Sequence, residues 1–254
     1  MLLINRLIPI VGTIVIWISM ESIVLAPNHW YLFAILLVVV ITILTLRIFA
    51  WQYHKKEFWG FLSSILLLIT SSIFFLFFID GSIARLSFIV ATSILGGFYL
   101  NNIFLYLHRP KSYQAYALQN VSGYLNLISL FLFSSSLFST IVFLNVPVYL
   151  LIVLFFIVTY ALIAQSFWVN SIDIDKSKIF LLVMAFLMTE LFWSAHYLPT
   201  SFFVNGLVLT LIFYMIQQLG LNYFSGKDEP ATIKRTLLIG SSMIVLLLVF
   251  AQWT

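Results

Sequence analysis

The chain is a series of long apolar runs separated by short polar turns. A transmembrane α-helix needs about 20 consecutive apolar residues. The pattern predicts nine such helices: Leu7–Ala26, Trp30–Phe49, Phe58–Ile79, Leu86–Leu107, Ala117–Phe143, Val148–Trp168, Ile179–Leu198, Phe202–Tyr223 and Thr236–Trp253. Because the runs are continuously apolar and do not alternate with polar residues, they exclude the strands of a membrane barrel. We therefore predict an all-α polytopic membrane protein, with one integral-membrane helical domain over residues 1–254.

The prolines and other turn formers support these divisions. No charged residue occurs between Ser112 and Ile172, a stretch too long for one span, and Pro147 divides it into two. We expect Pro9 to open the first helix, where its missing N–H costs little, and Pro230 to lie in a loop. Pro27 follows a sequence that resembles a signal-peptide cleavage site, and proline at that position blocks cleavage, so the first helix is predicted to remain uncleaved.

Composition agrees with a membrane location. The chain has 254 residues, of which 63% are hydrophobic and 8% charged, whereas a soluble domain has about 45–50% apolar and about 25% charged residues. The absence of cysteine excludes disulfides, thiolate catalysis and cysteine-ligated metal. The net charge is +4, but no hydrophilic segment mixes basic with aromatic residues, so we expect no nucleic-acid partner.

The basic residues predict an orientation, because loops rich in Lys and Arg stay in the cytoplasm. With a cytoplasmic N-terminus, eleven of the twelve Lys and Arg residues lie on the cytoplasmic side and only Arg85 lies outside. The eleven are Arg6, Arg47, Lys55, Lys56, Arg109, Lys111, Lys176, Lys178, Lys227, Lys234 and Arg235. We predict a multi-pass protein of the plasma (inner) membrane with its C-terminus outside.

The predicted outer turns lie near positions 27, 81, 146 and 199, so that the first and third are about 119 residues apart and the second and fourth about 118. This spacing permits a pseudo-repeat of residues 1–111 and 112–228, followed by a ninth helix within 232–254. Equal spacing also arises in any chain of similar spans. Gly96 and Gly97 offer a small surface in the fourth helix, which we expect to serve packing within the chain.

A few ionisable residues are predicted in the outer half of the membrane. A charge at the centre of a spanning helix costs about 2.5–3.5 kcal/mol on insertion scales, so such residues are functional candidates. Helical spacing places Glu190, Ser194 and Tyr197 on one side of the seventh helix. The candidate outer pocket consists of Glu21, Asp80, Arg85, Glu190, His196, Trp17 and Trp193. Alternatively, Glu190 hydrogen-bonds a neighbouring helix, while Glu21 and His196 reach interfacial water.

The inner half carries uncharged amides instead. The candidate amide layer consists of Asn101, Asn102, Asn120, Gln217 and Gln218, with further amides that include Asn126 and Gln165. Hydrogen bonds between spanning helices contribute about 0.6–2 kcal/mol each. We favour this interhelical role over a polar cavity for a head group or solute.

The zinc, nucleophile-elbow and P-loop motifs do not occur in the sequence. Asp173 and Asp175 adjoin Lys176 and Lys178 and are expected in a solvated loop. We expect no metal and no cofactor. The sequence favours a non-enzymatic membrane component or assembly subunit, in contact with the lipid bilayer and with a membrane-protein partner or a second copy.

The sequence also permits two other functions. The first is a small-solute or proton- or cation-coupled transporter that uses Glu190 and Glu21. The second is a membrane enzyme that acts on a lipid-linked substrate at the outer face. This enzyme would need the residues of the candidate outer pocket to converge.

Overall fold

A computed structural model describes residues 2–54, 56–110, 113–114, 116–226 and 230–251. In this part of the chain nine α-helices, each long and apolar enough to cross a membrane, account for the fold. They are α1 (Leu2–Leu25), α2 (Trp30–Ile48), α3 (Lys56–Leu76), α4 (Ser82–His108), α5 (Ala117–Leu144), α6 (Val148–Val169), α7 (Ile174–Ala195), α8 (Phe202–Phe224) and α9 (Pro230–Phe250). The predicted all-helical architecture, with nine helices able to span a membrane, is therefore confirmed for the described residues.

Several sequence predictions fall outside the described residues. These are Lys55, Lys111 and Lys227 of the orientation argument, the predicted end of the ninth helix at Trp253, and the repeat boundaries at positions 111, 112 and 228.

Two proline predictions are wrong. Helix α1 begins at Leu2, so Pro9 lies inside the helix and does not open it. The Pro9 carbonyl oxygen accepts a hydrogen bond from Thr13 Oγ1 at 3.0 Å. Pro230 is the first residue of α9 and does not lie in the preceding loop. Proline fits this first position because the N–H it lacks would have no partner within the helix.

Helices α4 and α7 also begin earlier than predicted. Helix α4 starts at Ser82, which places Arg85 in its first turn and not in a loop. Helix α7 starts at Ile174, and the Asp173 side chain caps it by accepting a hydrogen bond from the Asp175 N–H at 3.0 Å. Hydropathy detects only the apolar part of a span, whereas capped helices continue into polar residues.

The helices group into two compact units, Met1–Leu125 and Asn126–Thr254, which divide within α5. In the first unit, α1 packs against α2 and α4, and α3 packs against α2 and α4. In the second unit, α6 packs against α7, α7 against α8, and α8 against α9. The single domain and the pseudo-repeat both stay predictions.

Small residues allow the close approach of α1 and α4 in the first unit. A Cβ atom on Gly97 would overlap the Thr13 hydroxyl and lie 3.3 Å from the Pro9 carbonyl oxygen. A Cβ atom on Gly96 would meet the Ile16 side chain. The two glycines therefore serve packing within the chain, as expected from the sequence.

Stacked phenylalanines form part of the core of the second unit. The Phe192 ring of α7 lies between Phe138 of α5 and Phe155 of α6, with ring centroids 4.7 and 4.6 Å away. All three side chains are buried. This stack positions one face of α7 toward its neighbours and so decides which residues of α7 remain exposed.

Candidate functional site

Helix α7 has one buried and one exposed face. The buried residues are Ser177, Leu181, Met184, Ala185, Met188, Thr189, Phe192 and Ala195. Glu190 lies on the exposed face with Ser194 and Tyr197, in agreement with the helical spacing. Trp193, beside them, is 51% exposed. A carboxyl group therefore lies on an otherwise apolar and aromatic surface.

The Glu190 carboxylate has no hydrogen-bond or ion-pair partner among the described residues. Its backbone carbonyl oxygen accepts a hydrogen bond from Ser194 Oγ at 2.9 Å, but this contact leaves the carboxylate itself unused. The ion pair that the structure records joins Lys176 to Asp173, with 4.0 Å between Nζ and Oδ2. The described residues therefore provide no donor to the Glu190 carboxylate. This does not support the alternative in which Glu190 hydrogen-bonds a neighbouring helix.

Glu190 lies five residues before Ala195, the last residue of α7. At 1.5 Å per residue this distance is about 7–8 Å along the helix axis. Trp193 and Tyr197 follow toward the helix end, with ring centroids 6.0 Å apart. His196 is half-buried and contacts the Tyr197 ring at 5.2 Å between centroids. The carboxyl group therefore lies further from the end of α7 than these aromatic side chains, which are of the types that mark a membrane interface.

The candidate outer pocket is divided between the two units. Trp17, Glu21, Asp80 and Arg85 belong to the first unit, and Glu190, Trp193 and His196 to the second. In the first unit, Glu21 is half-buried, while Trp17 and Asp80 are exposed. One pocket made of all seven residues stays a prediction.

Arg85 lines a cavity of about 190 Å³ in the first unit. The other lining residues are apolar: Ile23, Val24, Pro27, Leu76 and Phe77. Arg85 Nη2 donates a hydrogen bond to the Ile79 carbonyl oxygen at 3.0 Å, and Nε is buried without a partner. Among the described residues, no carboxylate lies within ion-pair distance of this guanidinium.

Buried amides join helices in the second unit. Asn126 Nδ2 on α5 donates hydrogen bonds to Gln165 Oε1 and to the Leu162 carbonyl oxygen on α6. Gln217 Nε2 on α8 donates to Ser166 Oγ on α6. These contacts are of the interhelical kind that the sequence favoured. Gln218 is half-buried.

The amides of the first unit behave differently. Asn102 Nδ2 donates to the Phe98 carbonyl oxygen of its own helix at 2.8 Å. Asn101 is half-buried and Asn120 is exposed. Of the five residues in the candidate amide layer, Gln217 is therefore the one with an interhelical hydrogen bond between described side chains.

Tyr99 is a buried polar residue that the sequence reasoning missed. Its hydroxyl donates to the Phe61 carbonyl oxygen of α3 at 3.2 Å and accepts from Ser122 Oγ of α5 at 3.3 Å. The available signal was its position in the middle of a span, because interfacial tyrosines lie at span ends. Tyr99 joins three helices of the first unit.

The described residues contain no group of three or more His, Cys, Asp and Glu side chains able to hold a metal ion. Neither the protein-family models, nor the curated proteins, nor the solved structures that we compared with the chain match it. The arrangement of its own residues is therefore the basis for any functional conclusion.

Proposed function

We propose that this protein is a non-enzymatic subunit of a membrane assembly and that it binds its partner through the exposed face of α7. The observation that carries this proposal is the Glu190 carboxylate, which lies exposed and unpartnered within an apolar face. In a membrane this face would contact either lipid or another protein. A protein partner can offer the carboxylate a basic side chain, which the apolar chains of lipid cannot.

Glu190 lies within the apolar helix α7, five residues before the helix ends. An ionised group in the hydrocarbon region is costly, and side chains there pair with one another across helices. A Lys or Arg at the same depth of a partner helix would offset that cost with a charge-assisted hydrogen bond. Trp193 and Tyr197 would supply apolar contact area beside it, since aromatic residues are enriched at interfaces.

The proposed partner is a different protein and not a second copy. A twofold axis along the membrane normal and through the centre of this face would bring the two copies of Glu190 together at one depth. Two Glu190 carboxylates would then approach each other, and like charges at short distance disfavour ionisation of both. A transmembrane helix that carries Lys or Arg avoids this conflict.

We propose a cytoplasmic N-terminus in a plasma membrane, because Lys and Arg residues concentrate at alternate connections along the chain and Arg85 alone lies on the opposite side. In this orientation Glu190 lies in the outer half of the membrane. The exposed position of its carboxylate supports assembly more than ion-coupled transport, because a coupling group in a transporter lies near the bilayer midplane and lines a cavity between helices.

Photo-crosslinking in cell membranes tests the proposal. A photoreactive amino acid replaces Leu187, which is exposed one turn before Glu190, or, as a control, Leu36 on α2, which is also exposed. We expect position 187 to yield one crosslinked membrane protein and position 36 to yield none of it. Glu190→Gln should abolish that product, whereas Glu21→Gln should leave it unchanged. Crosslinks only to lipid or to a second copy would refute the proposal.

A further inference from the structure

We propose that the cavity beside Arg85 binds the phosphate of an anionic membrane lipid. This site is separate from the α7 face and belongs entirely to the first unit. It combines a positively charged side chain, apolar walls and a position at the ends of spanning helices. Each of these features restricts the chemistry of the ligand.

The walls of the cavity come from the ends of α1 and α3. Ile23 and Val24 belong to the last turn of α1, and Leu76 is the last residue of α3. Phe77 follows α3 and contacts the Trp30 ring edge-on, with 5.5 Å between centroids. The cavity therefore lies where the apolar spans end, at the depth of lipid head groups.

The guanidinium of Arg85 is held in place but is not neutralised. Its hydrogen bond to the Ile79 carbonyl oxygen uses one of five N–H donors. The nearest acidic residue in sequence, Asp80, is exposed and forms no ion pair with it. A partly buried cation without a counter-charge attracts an anion, and a guanidinium fork matches phosphate in particular.

The size of the cavity sets which part of the ligand it holds. Its volume of about 190 Å³ is smaller than the roughly 300–1,000 Å³ of sites that enclose a drug-sized molecule. It can hold a phosphate and the adjoining glycerol, while the acyl chains run along the exposed apolar surface. Free phosphate would leave the apolar walls in contact with water, which disfavours it as the ligand.

Lipid binding to the purified full-length chain tests the proposal. Native mass spectrometry in mild detergent would count bound phosphatidylglycerol and, separately, zwitterionic phosphatidylcholine. We expect one phosphatidylglycerol to be retained and phosphatidylcholine to bind at least tenfold more weakly. Glycerol phosphate in excess should not displace the lipid, because it lacks the chains that contact the apolar walls.

Three variants locate the site. Arg85→Gln should weaken phosphatidylglycerol binding at least tenfold, whereas Arg47→Gln, which removes an exposed arginine of α2, should not change it. Val24→Phe keeps the charge of Arg85 but fills the cavity, so it should also weaken phosphatidylglycerol binding. This variant provides the test if Arg85→Gln does not fold. Unchanged binding in either cavity variant, equal binding of both lipids, or displacement by glycerol phosphate would overturn the proposal.

Discussion

Asn126 and Gln165 form a buried side-chain hydrogen bond between α5 and α6, with Asn126 Nδ2 as donor. Asn126→Ala would remove this donor and leave the Gln165 carbonyl oxygen without it. A typical intramolecular hydrogen bond contributes about 0.5–1.5 kcal/mol net to stability. We therefore expect thermal unfolding of the purified protein in detergent to show a clear loss of stability.

Asn120→Ala provides the matched control for this prediction. Asn120 lies on the same helix but is exposed, and exposed substitutions usually change stability by less than about 0.5 kcal/mol. Equal melting temperatures for the Asn126→Ala and Asn120→Ala variants would show that the amide contact does not stabilise the second unit.

Gly97 allows the closest approach of α1 and α4. Gly97→Ala places a methyl group into the Thr13 hydroxyl and near the Pro9 carbonyl oxygen, and overpacking costs about 1–3 kcal/mol. Gly123→Ala, where nothing lies within 4 Å of the new Cβ atom, should be neutral or stabilising, since alanine favours helix by about 1 kcal/mol over glycine. Chemical denaturation of the two variants would compare them, and a Gly97→Ala protein as stable as Gly123→Ala would contradict the packing argument.

Phe192 is the central ring of the stacked core. Phe192→Ala should lower the free energy of unfolding by about 3–5 kcal/mol, because it removes a buried ring and leaves a cavity. Phe186, six residues earlier on α7, is 58% exposed, so Phe186→Ala should have a much smaller effect on the purified protein. If the two substitutions were equally damaging, the assignment of buried and exposed faces on α7 would be wrong.

The chain contains no cysteine, so single cysteines report its orientation without background. Ser82, the first residue of α4, and Ser225, which directly follows α8, are both exposed. The proposed orientation places them on opposite sides of the membrane. Ser82→Cys should react with a membrane-impermeant maleimide in intact cells, and Ser225→Cys only after the membrane is permeabilised. The reverse pattern would place the N-terminus outside.

The sequence predicted the number of helices because hydropathy measures what the bilayer requires of each span. It did not predict that α4 begins at Ser82, since the polar first turn of a helix resembles a loop in hydropathy. Arg85 therefore changed from a loop residue to a helical residue that lines a cavity. The cavity forms because the ends of three helices pack together. The sequence of one segment does not contain this information.

The sequence also did not show which face of α7 is exposed. Helical spacing correctly grouped Glu190 with Ser194 and Tyr197, because residues at these intervals share a side. It could not say which side is buried, since both faces of α7 are rich in apolar residues and hydropathy therefore does not distinguish them. The Phe138, Phe192 and Phe155 stack decides the question in three dimensions.

The most direct test of the assembly proposal is the amount of partner protein that co-purifies with Glu190→Gln in mild detergent. The crosslinked protein from position 187 would be quantified in preparations of wild type, Glu190→Gln and Glu21→Gln. We predict at least a tenfold loss of this protein from Glu190→Gln, no loss from Glu21→Gln, and unchanged thermal stability in the Glu190→Gln variant. Equal recovery of the partner with all three chains would contradict the account.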